Sequence, residues 1–215
     1  MSKLHYIKVS PPCQYVLLPI WDNNWDIETV NIKMGVDNKS PEYLSKHPIG
    51  QVPMYEEGDF GVGESQAILR YLLATRETSD TYWPKDHKAQ AKLDMVMSWA
   101  TSSLNKAFSA LYYACQIAPV WRGAAQPSAE EKAKLDKDFS DQLANLTKFI
   151  HHFGGDYVTG SNYTVADSTV FTNIHNIVET GHFSLEAFPE VHAWYERVKT
   201  HAGPAKIIEA CNKVW

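Results

Sequence analysis

The chain has 215 residues, 44% of them hydrophobic and 21% charged. These are ordinary globular proportions for one large domain or two smaller ones, and they exclude a largely disordered chain. A formal net charge of -5 provides no global basic field for nucleic acid or anionic lipid, and no apolar run approaches the length of a membrane span.

The opening, MSKLHYIKV, passes directly into strand-like alternation. It has neither the apolar stretch of a signal peptide nor the arginines of a transit peptide, so a cytoplasmic protein is expected. Residues 4–9 alternate apolar and polar, as a half-buried strand does. Ser10-Pro11 then reads as a helix start, with Ser as cap and Pro in the first turn. The helix over 14–21 is expected to bend or end at Pro19. Residues 27–32 form a second strand, and Ser40-Pro41 opens a short helix, PEYLSK. Residues 52–55 and 60–62 flank the turn EEGD and predict a hairpin. A third helix spans 64–76. A helical crossover makes the first two strands parallel, and the hairpin adds an antiparallel edge.

A polar stretch, ETSDTYWPKD, marks a linker at 79–86 between a first domain, 1–78, and a second, 87–215. Beyond it strand signals nearly vanish. Long amphipathic helices are expected over 88–118 and 128–152, the latter started by Ser128 with Glu131 three residues on, a capping-box pattern. Residues 164–179 are apolar on several faces and predict a central buried helix. Two Pro-started helices, 189–200 and 204–212, complete the chain.

Three cysteines, Cys13, Cys115 and Cys211, lie far apart without CxxC or metal-ligand spacing. That usage argues for a reducing compartment. The nine histidines are scattered, and no metal is expected.

Chemistry concentrates in three segments of the first domain. In Ser10-Pro11-Pro12-Cys13 the strand-to-helix junction favours an anion, and a cap hydroxyl can hydrogen-bond a sulfur anion and lower its thiol pKa. Ser10 also reads as a plain helix cap, and Cys13 as a small packed hydrophobe. In His47-Pro48-Ile49-Gly50-Gln51-Val52-Pro53, a cis Val52–Pro53 bond would turn the Val52 backbone outward to pair with a peptide-like ligand; a plain turn is the alternative. In Gly63-Glu64-Ser65-Gln66-Ala67-Ile68, a carboxylate at a helix start suits both ends of an amino-acid moiety, or serves only as a first-turn acid.

The order and spacing of these segments resemble the glutathione transferase family. SPPC follows the first strand, HPIGQVP precedes the third, and ESQAILRYL opens the third helix. Ser161-Asn162-Tyr163-Thr164-Val165-Ala166-Asp167 resembles the family's capping motif in the helical domain. SPPC followed by YWPKDHKAQAKLDMVMSW is most similar to the serine-type theta, delta and phi-like classes.

The resemblance implies a thioredoxin-like N-terminal domain (βαβαββα), an all-helical C-terminal domain and a homodimer. It implies glutathione as co-substrate, with no other cofactor, and a small hydrophobic electrophile. Ser10 would hold the glutathione thiolate. Gln51, Val52 and Pro53 would receive its cysteinyl–glycyl backbone, and Glu64 and Ser65 its γ-glutamyl end. His47, or else Lys39, would meet the glycine carboxylate. The electrophile surface would use Leu104, Phe108, Leu111 and Tyr112 of the long helix and Trp215 at the chain end, although that spacing also fits a core stripe. The implied reaction is conjugation to electrophiles in detoxification, with glutathione peroxidase activity beside it.

Three positions depart from the family pattern. Pro11 and Pro12 are consecutive, so residue 11 offers no N–H. Gly50 stands where some relatives carry a ligand-contacting histidine or lysine. Ser102 stands where an acidic residue is expected. Two other readings remain: a non-catalytic binding or assembly module on the same fold, and a Cys13-dependent thioltransferase, although enzymes of that kind usually carry cysteine at the position of Ser10.

Overall fold

The computed structural model describes residues 1–211. Two compact units emerge, Met1–Thr78 joined by residues 201–211, and Ser79–Thr200.

The first unit opens with β1 (Ser2–Tyr6), α1 (Pro11–Asp22) and β2 (Glu28–Asn31). A short turn of 3₁₀ helix, Asp37–Lys39, precedes α2 (Pro41–Lys46). Then come β3 (Met54–Glu57), β4 (Phe60–Gly63) and α3 (Ser65–Thr75). The sheet order is β2-β1-β3-β4. β1 and β2 run parallel across the α1 crossover, with Leu4 opposite Thr29. β3 is antiparallel to β1, placing Tyr55 opposite Leu4, and β4 closes the hairpin with Val62 opposite Tyr55. This is the thioredoxin-like arrangement. Leu4, Val16, Leu17, Ile20, Ile27, Tyr55, Ile68 and Leu72 form one buried cluster between sheet and helices.

β1 ends earlier than the alternation suggests. The Ser10 N–H bonds to the Ile7 carbonyl at 3.1 Å, turning the chain so that Ser10 caps α1. α1 in turn runs through Pro19 to Asp22. Asn23 closes the end, its backbone and side-chain nitrogens both reaching the Pro19 carbonyl, at 3.1 and 2.9 Å. The buried run from Cys13 to Ile20 holds the helix together across the missing proline N–H.

The second unit holds α4 (His87–Trp99), α5 (Asn105–Tyr112), α6 (Ala129–Phe153), α7 (Val165–Glu179) and α8 (Pro189–Val198). The single helix expected over 88–118 is interrupted by wider π-type turns at Ala100–Leu104 and Tyr113–Trp121. At the first, the Asn173 amide donates to the Ala100 carbonyl at 3.3 Å. Such an inserted side chain supplies a partner where the helical ladder loosens. Pro119, which has no N–H to give, lies in the second. α6 starts in the expected capping box: Glu131 donates its N–H to Ser128 Oγ at 3.2 Å and receives the Ser128 N–H at 2.9 Å.

The last helix, α9 (Ala202–Cys211), belongs to the first unit and not to the second, where the sequence reading put it. It packs on α1. Gly203 donates its N–H to Asp22 Oδ1 at 2.7 Å, and a Cβ at Gly203 would fall 2.6 Å from the Leu18 carbonyl oxygen. Glycine therefore allows the approach.

α7 is buried along most of its length, as expected, but it carries many polar groups. Asp167, Ser168, Thr169, Thr172, Asn173, His175 and Asn176 are all fully buried. His175 stacks on Phe171 at 5.2 Å and 9°, and neither of its ring nitrogens has a hydrogen-bond partner among the described residues. Burial, helped by the Lys199 ammonium, pushes its imidazole down from 6.5 to about 3. Between those values the unfolded chain binds a proton and the folded one does not. Stability is therefore withdrawn as pH falls below about 6.5, by up to about 1.4 kcal/mol per pH unit. A His175→Phe variant is expected to gain on wild type by that increment in paired urea titrations at neutral and mildly acidic pH. A pH-independent difference would mean that the imidazole is solvated.

Candidate functional site

Ser10 stands at the N-cap of α1 with extended backbone, φ -88° and ψ 115°. Its carbonyl receives the N–H groups of Cys13 and Gln14 at 2.9 and 3.0 Å, while its side chain caps no backbone N–H. Pro11 and Pro12 have none to offer. The helix tip therefore presents a half-buried hydroxyl in place of the free amide groups expected there. An anion at this point meets the Ser10 O–H and the helix dipole.

Cys13, one turn in, is 0% exposed and accepts the Ile7 N–H at 3.3 Å. Burial pushes its thiol up to about 11, against the Ile7 N–H and the Ser10 hydroxyl, which pull the other way. A covered, protonated thiol is a poor nucleophile. Thioltransferase chemistry at Cys13 therefore finds no support in its surroundings.

The second segment approaches β3 through a cis Val52–Pro53 bond. Gln51 is exposed, Val52 half-buried and Pro53 buried. Three contacts hold the residues before it. The Gly50 N–H bonds to the His47 carbonyl at 2.9 Å, the Asn38 amide holds the Gly50 carbonyl at 2.5 Å, and the Tyr43 hydroxyl holds the Gln51 carbonyl at 2.5 Å. Gly50 has φ +65°, and a Cβ there would fall 2.7 Å from the Asn38 carbonyl. A histidine or lysine at position 50 would be strained on this backbone.

The third segment is the N-terminus of α3. Glu64 sits at its cap with φ +64° and is exposed; Ser65, half-buried, is the first helical residue. A non-glycine residue held in this region costs about 1–3 kcal/mol and tends to mark a functional position. A carboxylate-bearing residue at a helix start is a pairing suited to an ammonium and a carboxylate on one ligand.

His47 is 4% exposed. Its ring fills the space over Gly63, where a Cβ would lie 2.3 Å from the ring's Cε1. It packs beneath β4. Lys39 is exposed, with its Nζ 3.4 Å from where a Cβ on Gly50 would lie.

The four residues suggested for the electrophile surface are interior. Leu104 and Leu111 are 0% exposed, Phe108 1% and Tyr112 4%, with Phe108 and Tyr112 stacked at 5.2 Å. Their spacing marks the core face of the helix. Exposed apolar side chains lie on both sides of it in the chain, Met95 before and Tyr113, Val120 and Trp121 after, with the Arg122 guanidinium 5.4 Å over the Tyr113 ring. Sequence periodicity reports a stripe but not which face is covered. Ser102 is exposed and bonds back to the Ser98 carbonyl at 2.7 Å. Trp215 lies outside the described residues.

Residues 17–74 match the family model for the glutathione S-transferase N-terminal domain, and residues 116–206 that for the C-terminal domain. The chain belongs to the glutathione S-transferase family. It is 30% identical over 216 residues to a probable glutathione S-transferase, GSTF1, of Oryza sativa subsp. japonica, covering 94% of each chain. To glutathione S-transferase theta-3 of Mus musculus it is 26% identical, over 97% of this chain and 86% of that protein. Among solved structures, the apo form of human glutathione S-transferase T1-1 superposes with a TM-score of 0.86 at 25% identity, covering all of this chain and 89% of that one. A delta-class glutathione transferase of Nilaparvata lugens gives 0.82 at 25% identity, covering 96% of this chain and 92% of that one.

Proposed function

We propose that the protein binds glutathione on its first unit and transfers the tripeptide's thiolate to small hydrophobic electrophiles. The observation that carries this reading is the Ser10 hydroxyl, set at a helix tip and committed to no backbone cap. Donating to the glutathione sulfur, it stabilises the thiolate over the thiol and lowers the pKa. Gln51 and Val52 receive the cysteinyl–glycyl backbone beside Pro53, and Glu64 and Ser65 the γ-glutamyl ammonium and carboxylate. Proximity then makes a bimolecular attack effectively unimolecular. The helical unit supplies the electrophile surface, drawn from its exposed apolar side chains and not from the buried stripe. Glutathione serves as co-substrate with no further cofactor, and hydroperoxide reduction is a second reaction open to the same thiolate.

A detoxifying homodimer in the cytoplasm completes the reading. The free, buried state of Cys13, Cys115 and Cys211 fits a reducing compartment. Among the described residues, no helix is long and apolar enough to cross a membrane.

Retention on immobilised glutathione, combined with turnover of an aryl halide, tests the proposal. Both are expected. Retention without turnover would point to a binding module on this fold, and loss of both would overturn the reading.

A further inference from the structure

α2 reaches both segments that the proposed function assigns to glutathione, through residues one turn apart. Tyr43 is 4% exposed, and its hydroxyl donates to the Gln51 carbonyl at 2.5 Å. His47 lays its ring on the backbone of Gly63, the residue before Glu64. The two side chains form one unit: the rings lie 6.3 Å apart, and the His47 N–H bonds to the Tyr43 carbonyl at 2.9 Å.

We propose that Tyr43 is a positioning residue for glutathione recognition, with His47 as its counterpart under Glu64. This rests on the glutathione reading above. The Gln51–Val52 peptide is trans and planar, so its C=O and N–H point in opposite directions. By holding the Gln51 carbonyl, the Tyr43 hydroxyl directs the Val52 N–H to the opposite side, and none of the described hydrogen bonds uses that N–H. It is thereby aimed for a ligand carbonyl. Without the hydroxyl, the peptide plane gains rotational freedom, and the cost of ordering it moves into the binding step. The Tyr43 ring is held independently, edge-on to His5 at 5.7 Å and buried with Ile32 and Met54. Removing the hydroxyl therefore leaves the ring in place. Burial, chiefly, also raises the phenol well above its ordinary pKa, keeping it a donor at working pH.

His47 acts on the other wall through shape. Its ring occupies the volume a side chain at position 63 would need, and so supports the strand end from which Glu64 enters its left-handed conformation.

The test is steady-state kinetics with glutathione and an aryl halide, beside direct calorimetric binding of glutathione. Tyr43→Phe is expected to raise the glutathione KM about threefold to tenfold, the range for one hydrogen bond, with kcat at saturation within about twofold and Tm within about 3 °C. Tyr71→Phe removes a hydroxyl bonded to Glu57 at 3.1 Å in the same unit and is expected to leave the glutathione KM unchanged. His47→Ala is expected to raise that KM, and His47→Phe, which keeps a flat ring without nitrogens, to recover most of the loss. An unchanged KM in Tyr43→Phe, or a fall confined to kcat or Tm, would overturn the role of Tyr43. Equal impairment of both His47 variants would show that a ring nitrogen meets the ligand and would overturn the counterpart role. Failure of the wild-type protein to bind glutathione would instead remove the underlying reading, and this inference with it.

Discussion

Ser10→Ala is expected to retain glutathione while losing most of its turnover. The alanine keeps the extended cap conformation and the carbonyl that receives the Cys13 and Gln14 N–H groups, so α1 still starts at Pro11. No backbone N–H loses a partner, because the hydroxyl caps none. What disappears is a donor to developing negative charge on sulfur. A hydrogen bond to a charged group contributes about 1.5–3 kcal/mol, which corresponds to roughly a 10- to 150-fold loss in kcat/KM at neutral pH. The sign of the pH effect follows. With Ser10, the bound thiol is expected to ionise below its solution value of about 8.5, so that activity rises with pH and levels off early. In the alanine variant that inflection moves up toward the solution value, and part of the lost rate returns in alkaline buffer. A pH–rate profile of both proteins checks this, and identical inflections would remove Ser10 from the chemistry.

Asp167→Ala is expected to have the largest effect on stability. The carboxylate is 0% exposed and accepts from four donors: the Val158 N–H and the Trp194 indole N–H on Oδ1, and the Thr164 N–H and hydroxyl on Oδ2. It thus joins the α7 cap to the preceding turn and to α8. Each buried group left unpaired costs about 1–3 kcal/mol, so a total of about 4–5 kcal/mol is expected where partial relaxation rescues some of them. At about 2–4 °C per kcal/mol, the thermal midpoint falls by roughly 10–15 °C. Asp167→Asn keeps one acceptor oxygen and should lose about half as much. Burial pushes the Asp167 carboxyl from 3.8 up to about 6, against its four donors. The folded state therefore holds that proton more firmly than the unfolded chain. The resulting stabilisation is complete below about pH 4 and is gone once pH has risen through 6. The alanine variant lacks this slope. Urea midpoints at pH 4 and pH 7 measure both effects, and a loss under about 1 kcal/mol at neutral pH would mean that water reaches the cap.

Local rules carried much of the architecture. Ser-Pro starts α1 and α2 where those residues stand, the Ser128/Glu131 and Thr164/Asp167 boxes open α6 and α7, and the hairpin forms where EEGD places it, although Glu56 and Glu57 join β3 and only Gly58-Asp59 make the turn. Each depends on residues within a few positions of one another. Features that depend on distant partners were not legible. The π-type turn at Ala100 meets the Asn173 side chain, far along the chain. α9 reads as the last of a row of helices, and only its contact with Asp22 places it beside α1. Glu64 has the wrong residue type for a positive φ, so no propensity argument finds it. Within the candidate site, the segments themselves point to Ser10, the Val52 backbone and Glu64, and the family resemblance adds Gln51. Tyr43 escaped notice because a buried tyrosine in a short helix reads as packing until its hydroxyl is seen on the Gln51 carbonyl.

The docking of α9 on α1 has a consequence for synthesis. The first unit is completed by a helix that follows the entire second unit in the chain. While the helical unit is being translated, Asp22 has no Gly203 amide to accept, and the flank of α1 stays open to solvent and to chaperones. The first unit therefore gains its last helix only after the whole second unit has been made.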